Sequence, residues 1–307
     1  AIFEALVMGA RSMVMTAVLL CAVGLVVNVI TTAGIGNVFS LQIATWAGGN
    51  LLIAIALVAL ASLVLGMGLP VTAAYIVLAT LSAPAIAGMI ADREVIAAIA
   101  EGALPQQAQA IFMLGAPEAL PRLAAPMPLD EARALVASLP IEVAQPLRDM
   151  VVSPEAATVA LLSAHMIIFW LSQDSNVTPP VALAAFTAAA IAKAPAMATG
   201  VASWKLAKGL YIVPVLFAYT PFLSGDVGAA LWVFGFGVVG IYGLSAALAG
   251  AMEGPIGWLP RIAAGLAGIA ALWPDLLAAN LAGAVVVLGL LIWSVRTAPA
   301  PAPARAP

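Results

Sequence analysis

Long apolar runs alternate with short polar breaks along most of the chain. A helix of about 17–25 apolar residues is long enough to cross the roughly 30 Å hydrocarbon core of a bilayer. Hydrophobic regions cover residues 12–32, 210–223, 229–250 and 262–293. The last is long enough for two helices around Trp273 and Pro274. Residues 34–49 are semi-polar, and we expect them to lie at the membrane interface. The pattern predicts an all-α membrane protein that crosses the bilayer several times.

Residues 51–90 form one apolar stretch that is interrupted in its middle. Gly66, Gly68 and Pro70 end a helix on either side of the interruption. The glycines allow the unusual backbone dihedrals of a tight tip. Thr72 adds a hydroxyl where the second half begins. Either two full spans joined by a plain turn or a re-entrant helical hairpin fits this pattern.

A second break separates two half-length apolar segments, 156–171 and 181–192. It carries Ser172, Asp174, Ser175, Asn176, Thr178, Pro179 and Pro180. Side-chain oxygens of this kind are ligands that a hard cation prefers. Asp174 is either an acid inside the membrane, which is a functional-site hypothesis by default, or a helix cap at the interface. In the second case the cation site rests on Asn176 and Thr178.

Residues 92–155 differ from the rest because they hold most of the charges and eight prolines. We expect an aqueous excursion of short helices. Asp130 is predicted to cap one helix and Ser153 another, with Pro154 at the first helical position of the latter.

The composition narrows the class of protein. The chain is 64% hydrophobic and 8% charged, with a mean hydropathy of +1.14, whereas a soluble domain is about 25% charged. A net charge of −3 gives no surface for nucleic acid. One cysteine, Cys21, and one histidine, His165, exclude a disulfide framework and a multi-histidine metal site. We expect His165 to be a partly buried residue with a backbone partner.

Enzyme signatures are missing from the sequence. It has no P-loop, no His-Glu-x-x-His metalloprotease motif and no Ser/His/Asp spacing. We therefore expect no enzyme activity and no ATP-driven transport by this chain.

Lysine and arginine in short loops mark the cytoplasmic side. The predicted loop with Lys193, Lys205 and Lys208 is the strongest such signal. The remaining cations expected on that side are Arg11, Arg261, Arg296 and Arg305. Residues 92–155 are then external.

The pattern divides the chain into five segments. They are membrane helices and a hairpin in 1–91, the external insertion 92–155, the discontinuous helix and following span in 156–225, further membrane helices in 226–296 and a disordered tail in 297–307.

Two stretches in a fixed order carry a family resemblance: LGMGLPVTAAYIVL at 65–78 and NVTPPVALAAF at 176–186. They resemble the fused permeases of tripartite ATP-independent periplasmic (TRAP) transporters, and the TAXI-associated type most closely. The stretches AGGNLL at 47–52 and YIVP at 211–214 also fit. The resemblance covers most of residues 1–225, apart from the insertion at 92–155, which the family usually replaces with a short connection.

The resemblance implies a fold and an activity. The chain would be the second, elevator-type repeat of a secondary transporter, with a re-entrant hairpin at 66–72 facing an unwound helix at 172–180. The first repeat and the small-subunit region would precede Ala1. Such permeases sit in the bacterial inner membrane and import organic acids that a periplasmic solute-binding protein delivers, here of the TAXI type. No cofactor is expected. The coupling ion is Na⁺ or another cation, with Na⁺ favoured, and Asn176 and Thr178 are its expected ligands.

Two other functions remain open at this point. The breaks could form the filter of an ion channel or pore, although a pore should line its path with more polar residues. The chain could also be a membrane scaffold that transports nothing. Neither break contains an arginine that could clamp a carboxylate, so the sequence does not identify the solute.

Overall fold

The computed structural model describes residues 2–115, 117–123, 125–274 and 276–297. These residues are almost entirely helical, and no strand occurs in these ranges. The α-helices are α1 (Ile2–Thr32), α2 (Ile35–Ala47), α3 (Leu51–Gly66), α4 (Val71–Ala100), α5 (Gln106–Gly115), α6 (Leu129–Ser138), α7 (Ile141–Val151), α8 (Pro154–Leu171), α9 (Leu183–Ala192), α10 (Ala196–Leu206), α11 (Gly209–Tyr219), α12 (Val227–Ala249), α13 (Trp258–Ala271) and α14 (Leu277–Thr297). The predicted all-α fold class is confirmed.

Several helices are long and apolar enough to cross a membrane. By length and composition, five helical segments of the described chain qualify, and a sixth does if α2 and the second half of α1, bent by 72° from one another, form one span. The protein is therefore a polytopic helical membrane protein. The predicted pair of helices around Trp273 is also found, as α13 and α14.

The chain forms two compact units, residues 1–175 and 176–307, which are described separately. In the first unit, α3 and α4 form an asymmetric hairpin. α3 has 16 residues and α4 has 30, which correspond to about 24 Å and 45 Å of helix. Ala73, Val77 and Leu81 of α4 are buried in a cluster with Val23 of α1.

The insertion at 92–155 is a packed helical subdomain. α4 does not stop at the predicted boundary but continues to Ala100, because Val95 and Ile99 are buried in the subdomain core. Phe112, Leu123 and Leu147 are fully buried in the same cluster. The charged stretch therefore folds around an apolar core of its own.

Prolines begin the helices of this region. Pro128 and Pro140 precede α6 and α7 as N-cap residues, and Pro154 is the first residue of α8. The predicted Ser153 cap is confirmed, since its hydroxyl accepts a hydrogen bond from the Ala156 N–H at 3.2 Å. The predicted Asp130 cap is wrong: Pro128 starts the helix two residues earlier, so Asp130 lies in the first turn, where its charge favours the helix dipole.

An ion pair attaches the subdomain to α4. Nε and Nη2 of Arg148 on α7 donate to the two carboxylate oxygens of Asp92 at 2.7 and 2.9 Å. Each side chain is only 16% exposed. This two-point geometry fixes orientation as well as distance.

In the second unit, α12, α13 and α14 pack through glycines. A Cβ built on Gly243 would lie 2.9 Å from the carbonyl oxygen of Ala264, and one on Gly268 would lie 2.8 Å from that of Gly240. The missing side chains let the helix backbones approach one another closely.

The predicted loop around residues 193–208 is wrong, because α10 occupies most of it. Lys205 and Lys208 belong to the segment Ala196–Tyr219, which is itself apolar enough to be a candidate span. Lysine is compatible with such a helix since its alkyl stem lies along apolar surface while the ammonium reaches water.

Gly283 provides a test of the glycine packing. A Cβ there would lie 2.5 Å from the Ala271 backbone nitrogen, whereas one at Gly289 on the same helix would meet no atom within 4 Å. We expect Gly283→Val to lower the apparent melting temperature in detergent by about 3–10 °C, as overpacking costs of about 1–3 kcal/mol imply. Gly289→Val should change it little, and equal shifts for the two variants would contradict this packing.

Candidate functional site

The first unit brings the hairpin against the second break. The Ser62 hydroxyl on α3 donates to the carbonyl oxygen of Leu171 at 3.0 Å, at the point where α8 ends. One turn further along α3, a Cβ built on Gly66 would lie only 2.5 Å from the Ser175 Cβ and would also collide with its Oγ. The end of α3 therefore contacts the break directly, and only glycine leaves room for that contact.

Asp174 is buried beside this contact. It lies in a 3₁₀ turn, Asp174–Asn176, and its side chain is 3% exposed. Its Oδ1 has no hydrogen-bond partner among the described residues. The neighbouring Ser172 hydroxyl donates back to the Ile168 carbonyl oxygen at 2.7 Å. A buried carboxylate oxygen without a donor suits a bound cation or proton.

The remaining residues of the hairpin turn are less enclosed within this unit. Gly68, Pro70 and Thr72 are exposed, and a Cβ on Gly68 would meet no atom within 4 Å. Neither Gly66 nor Gly68 has a positive φ, so the expectation of unusual dihedrals at this tip is wrong. The turn is made by Met67 in right-handed helical geometry and by Pro70, the N-cap residue of α4. Gly66 provides space, not conformational freedom.

The part of the break that follows residue 175 belongs to the second unit. Thr178 Oγ1 and the Tyr211 hydroxyl on α11 are 2.5 Å apart. The Ala182 N–H donates to the Thr178 carbonyl oxygen at 3.1 Å, with Ala182 in left-handed geometry at φ 39° just before α9. The Pro179–Pro180 bond is cis, and Asn176 is half-buried. The segment is therefore a structured turn.

Gly200 on α10 packs against this turn. A Cβ there would lie 3.0 Å from the Phe186 ring and 3.3 Å from Pro179 Cγ. Sequence reasoning assigned no role to Gly200 or Tyr211. Tyr211 lies in the family-like YIVP stretch, which is a usable signal, but its pairing with Thr178 across 33 residues has no sequence signature.

His165, on α8 before the break, links α8 to α4. Its Nδ1 lies 3.0 Å from the Tyr75 hydroxyl, and the Tyr75 ring meets Phe169 edge-on with centroids 5.5 Å apart. The predicted backbone partner is wrong. A tyrosine one turn into α4 provides the partner, because the close packing of α4 on α8 brings it within reach.

Among the described residues, no three or more His, Cys, Asp or Glu side chains come together as possible metal ligands. The Asp174 side chain of the first unit carries carboxylate oxygens, and the Asn176 and Thr178 side chains of the second unit carry amide and hydroxyl oxygens. All three are group types that bind hard cations.

Two interrupted apolar segments in a polytopic helical protein are typical of secondary transporters, where broken helices mark the substrate and ion sites. The model of the DctM family, described as "Tripartite ATP-independent periplasmic transporter, DctM component", matches residues 1–223. The chain therefore belongs to the DctM family and is a permease component of a TRAP transporter. No curated protein and no solved structure matches it.

The contact between Gly66 and Ser175 generates a specific prediction. Gly66→Ala should reduce transport about 5- to 150-fold, the range that overpacking of about 1–3 kcal/mol allows, while the protein still inserts in the membrane. Gly68→Ala, which adds the same methyl where there is open space, is the matched control. The measurement is solute uptake normalised to membrane-inserted protein.

A second-site change separates steric from general damage. Ser175→Gly removes the atoms that the added methyl would meet. The activity that Ser175→Gly restores to the Gly66→Ala variant should therefore exceed the activity that it costs the wild type. Equal activity of Gly66→Ala and Gly68→Ala would contradict the contact.

Proposed function

We propose that this permease imports a small organic acid across the bacterial inner membrane, driven by a Na⁺ gradient, with the solute delivered by a periplasmic solute-binding protein of the TAXI type. The observation that supports this best is the buried Asp174 carboxylate beside the Gly66 and Ser175 contact. It combines an acid, a helix break and a hairpin end inside apolar sequence, which is where a carrier needs its ion.

Asn176 and Thr178 are the proposed Na⁺ ligands, and Asp174 is the acid that follows α8. Thr178 can donate its proton to the Tyr211 hydroxyl at 2.5 Å, which leaves its oxygen lone pairs free to bind a cation. This pairing supports Thr178 as a ligand because it orients the hydroxyl before the ion arrives.

The solute carboxylate has no arginine to bind in either break. The proposed anion-binding groups are therefore the free N–H groups of the first turn of α4, after Pro70, together with the exposed Thr72 hydroxyl. A helix N-terminus carries about half a positive charge and binds carboxylates through these groups. Pro70 shapes this turn, as Pro179 and Pro180 shape the other.

Counterflow in proteoliposomes tests the carrier. The permease is reconstituted with the solute-binding protein, and ¹⁴C-labelled acetate, pyruvate, succinate and malate are the probes. A carrier gives saturable uptake of one of them that is stimulated by the same acid inside. Linear flux without trans-stimulation would indicate a pore and overturn the proposal. No flux of any of the four acids would overturn them as the solute.

The coupling ion is tested separately. Asn176→Ala and Thr178→Val should weaken the Na⁺ dependence of uptake about 5- to 150-fold, since an undercoordinated cation costs about 1–3 kcal/mol by analogy with an unmade buried hydrogen bond. Ser224→Ala is the control, because the Ser224 hydroxyl is exposed and bonds locally, donating to the Pro221 carbonyl oxygen and accepting from the Asp226 N–H. Unchanged Na⁺ dependence in both variants would remove these residues from the cation site.

The proposed topology places the C-terminal end of α12, which Lys208 and Arg261 contact, in the cytoplasm and residues 92–155 outside. In a Cys21→Ser background, a cysteine at Arg133, which is exposed on α6, should react with a membrane-impermeant maleimide in intact cells. A cysteine at Glu253, exposed in the turn after α12, should react only after permeabilisation. The reverse pattern would invert the topology.

A further inference from the structure

Two cations from different elements, Lys208 and Arg261, contact the C-terminal end of α12. The Lys208 ammonium lies 3.5 Å from the Ser245 carbonyl oxygen. The Arg261 guanidinium on α13 donates to the carbonyl oxygens of Ala247 and Leu248. Lys205 on α10 and Arg261 are both close enough to Lys208 to repel its charge.

The cationic cluster, Lys205, Lys208 and Arg261, takes part in none of the ion pairs of the described residues, such as Arg122 with Glu131, Arg133 with Asp130 and Arg148 with Asp92. Glu253, in the turn after α12, is not paired with any of the three. The end of α12 contributes about half a negative charge, which offsets only part of three positive ones. The cluster therefore attracts an anion.

Exposed aromatic and aliphatic side chains flank the cluster. Trp204 and Leu206 adjoin Lys205 on α10, and Trp258 and Leu259 start α13 three and two residues before Arg261. Their exposed fractions range from 46% for Trp204 to 84% for Leu206. Tryptophan beside positive charge at the end of apolar helices is typical of the headgroup layer of a membrane.

We propose that Lys205, Lys208 and Arg261 form a binding site for the phosphate headgroup of an anionic phospholipid. The phosphate oxygens match the cations, and the acyl chains cover the exposed tryptophan and leucine side chains beside them. Free phosphate would satisfy the charges but leave that apolar surface uncovered. A headgroup held by Lys208 and Arg261 bridges the start of α11 and α13 at the end of α12, so it stabilises the packing of the second unit.

The test measures lipid binding directly. Delipidated full-length protein in detergent is titrated with phosphatidylglycerol, and the bound lipid is counted by native mass spectrometry. Lys205→Gln/Lys208→Gln should weaken binding about 25-fold, about fivefold for each lysine near an anionic headgroup. Arg122→Gln/Arg133→Gln removes the same charge from the insertion and should leave binding unchanged. Binding of zwitterionic phosphatidylcholine should be the same for all three proteins.

Further arms keep the test decisive if the double variant loses its fold. Lys205→Arg/Lys208→Arg preserves the charge and should retain phosphatidylglycerol binding. Each single Gln variant should lose about fivefold. Equal phosphatidylglycerol binding by the wild type and both Gln double variants would overturn the proposal. So would equally tight binding of inorganic phosphate in a competition titration, because it would identify the free anion as the ligand. The readout is independent of transport.

Discussion

A backbone N–H or carbonyl group without a partner costs several kcal/mol in lipid, and this constraint governs the whole molecule. It makes the chain helical almost throughout, and it permits a helix to stop inside apolar sequence only where other groups surround the stop. The end of α8 meets that condition: Ser62 donates to the Leu171 carbonyl oxygen and α3 closes over Ser175. The turn before α9 meets it through Thr178, Tyr211 and the Ala182 N–H.

Small residues provide much of the specificity in such an environment. Where hydrophobic burial no longer drives helices together, association depends on close backbone approach. A single added methyl group is then enough to prevent the contact. Gly66 admits Ser175, Gly200 admits Phe186 and Gly283 admits the backbone of α13. Each glycine lies where a chemical group must come close, whereas Gly68 and Gly289 face open space and carry no such demand.

The features that the sequence predicts well are those with local causes. Apolar runs, the two breaks, the Ser153 cap and the division around Trp273 follow from periodicity, proline and glycine within a few residues. The errors have distant causes. α4 extends past its predicted end because the subdomain core buries Val95 and Ile99. α10 forms despite Lys205, since the lysine stem tolerates apolar surroundings. Tyr75 reaches His165 across 90 residues, and no local pattern encodes that distance. The hairpin and break positions followed from sequence, but the buried contact between Gly66 and Ser175 did not.

α4 connects the insertion rigidly to the hairpin turn. A single uninterrupted helix begins at the hairpin turn and ends inside the subdomain, and the ion pair between Asp92 and Arg148 attaches the subdomain to its side. No loop separates the two regions that could absorb movement. Any force applied to the subdomain must therefore displace the hairpin turn as well or bend α4, and Pro84, inside the helix, is where such bending is least costly. The subdomain and the hairpin turn, with its proposed solute-binding N–H groups, are thus the two ends of one continuous helix.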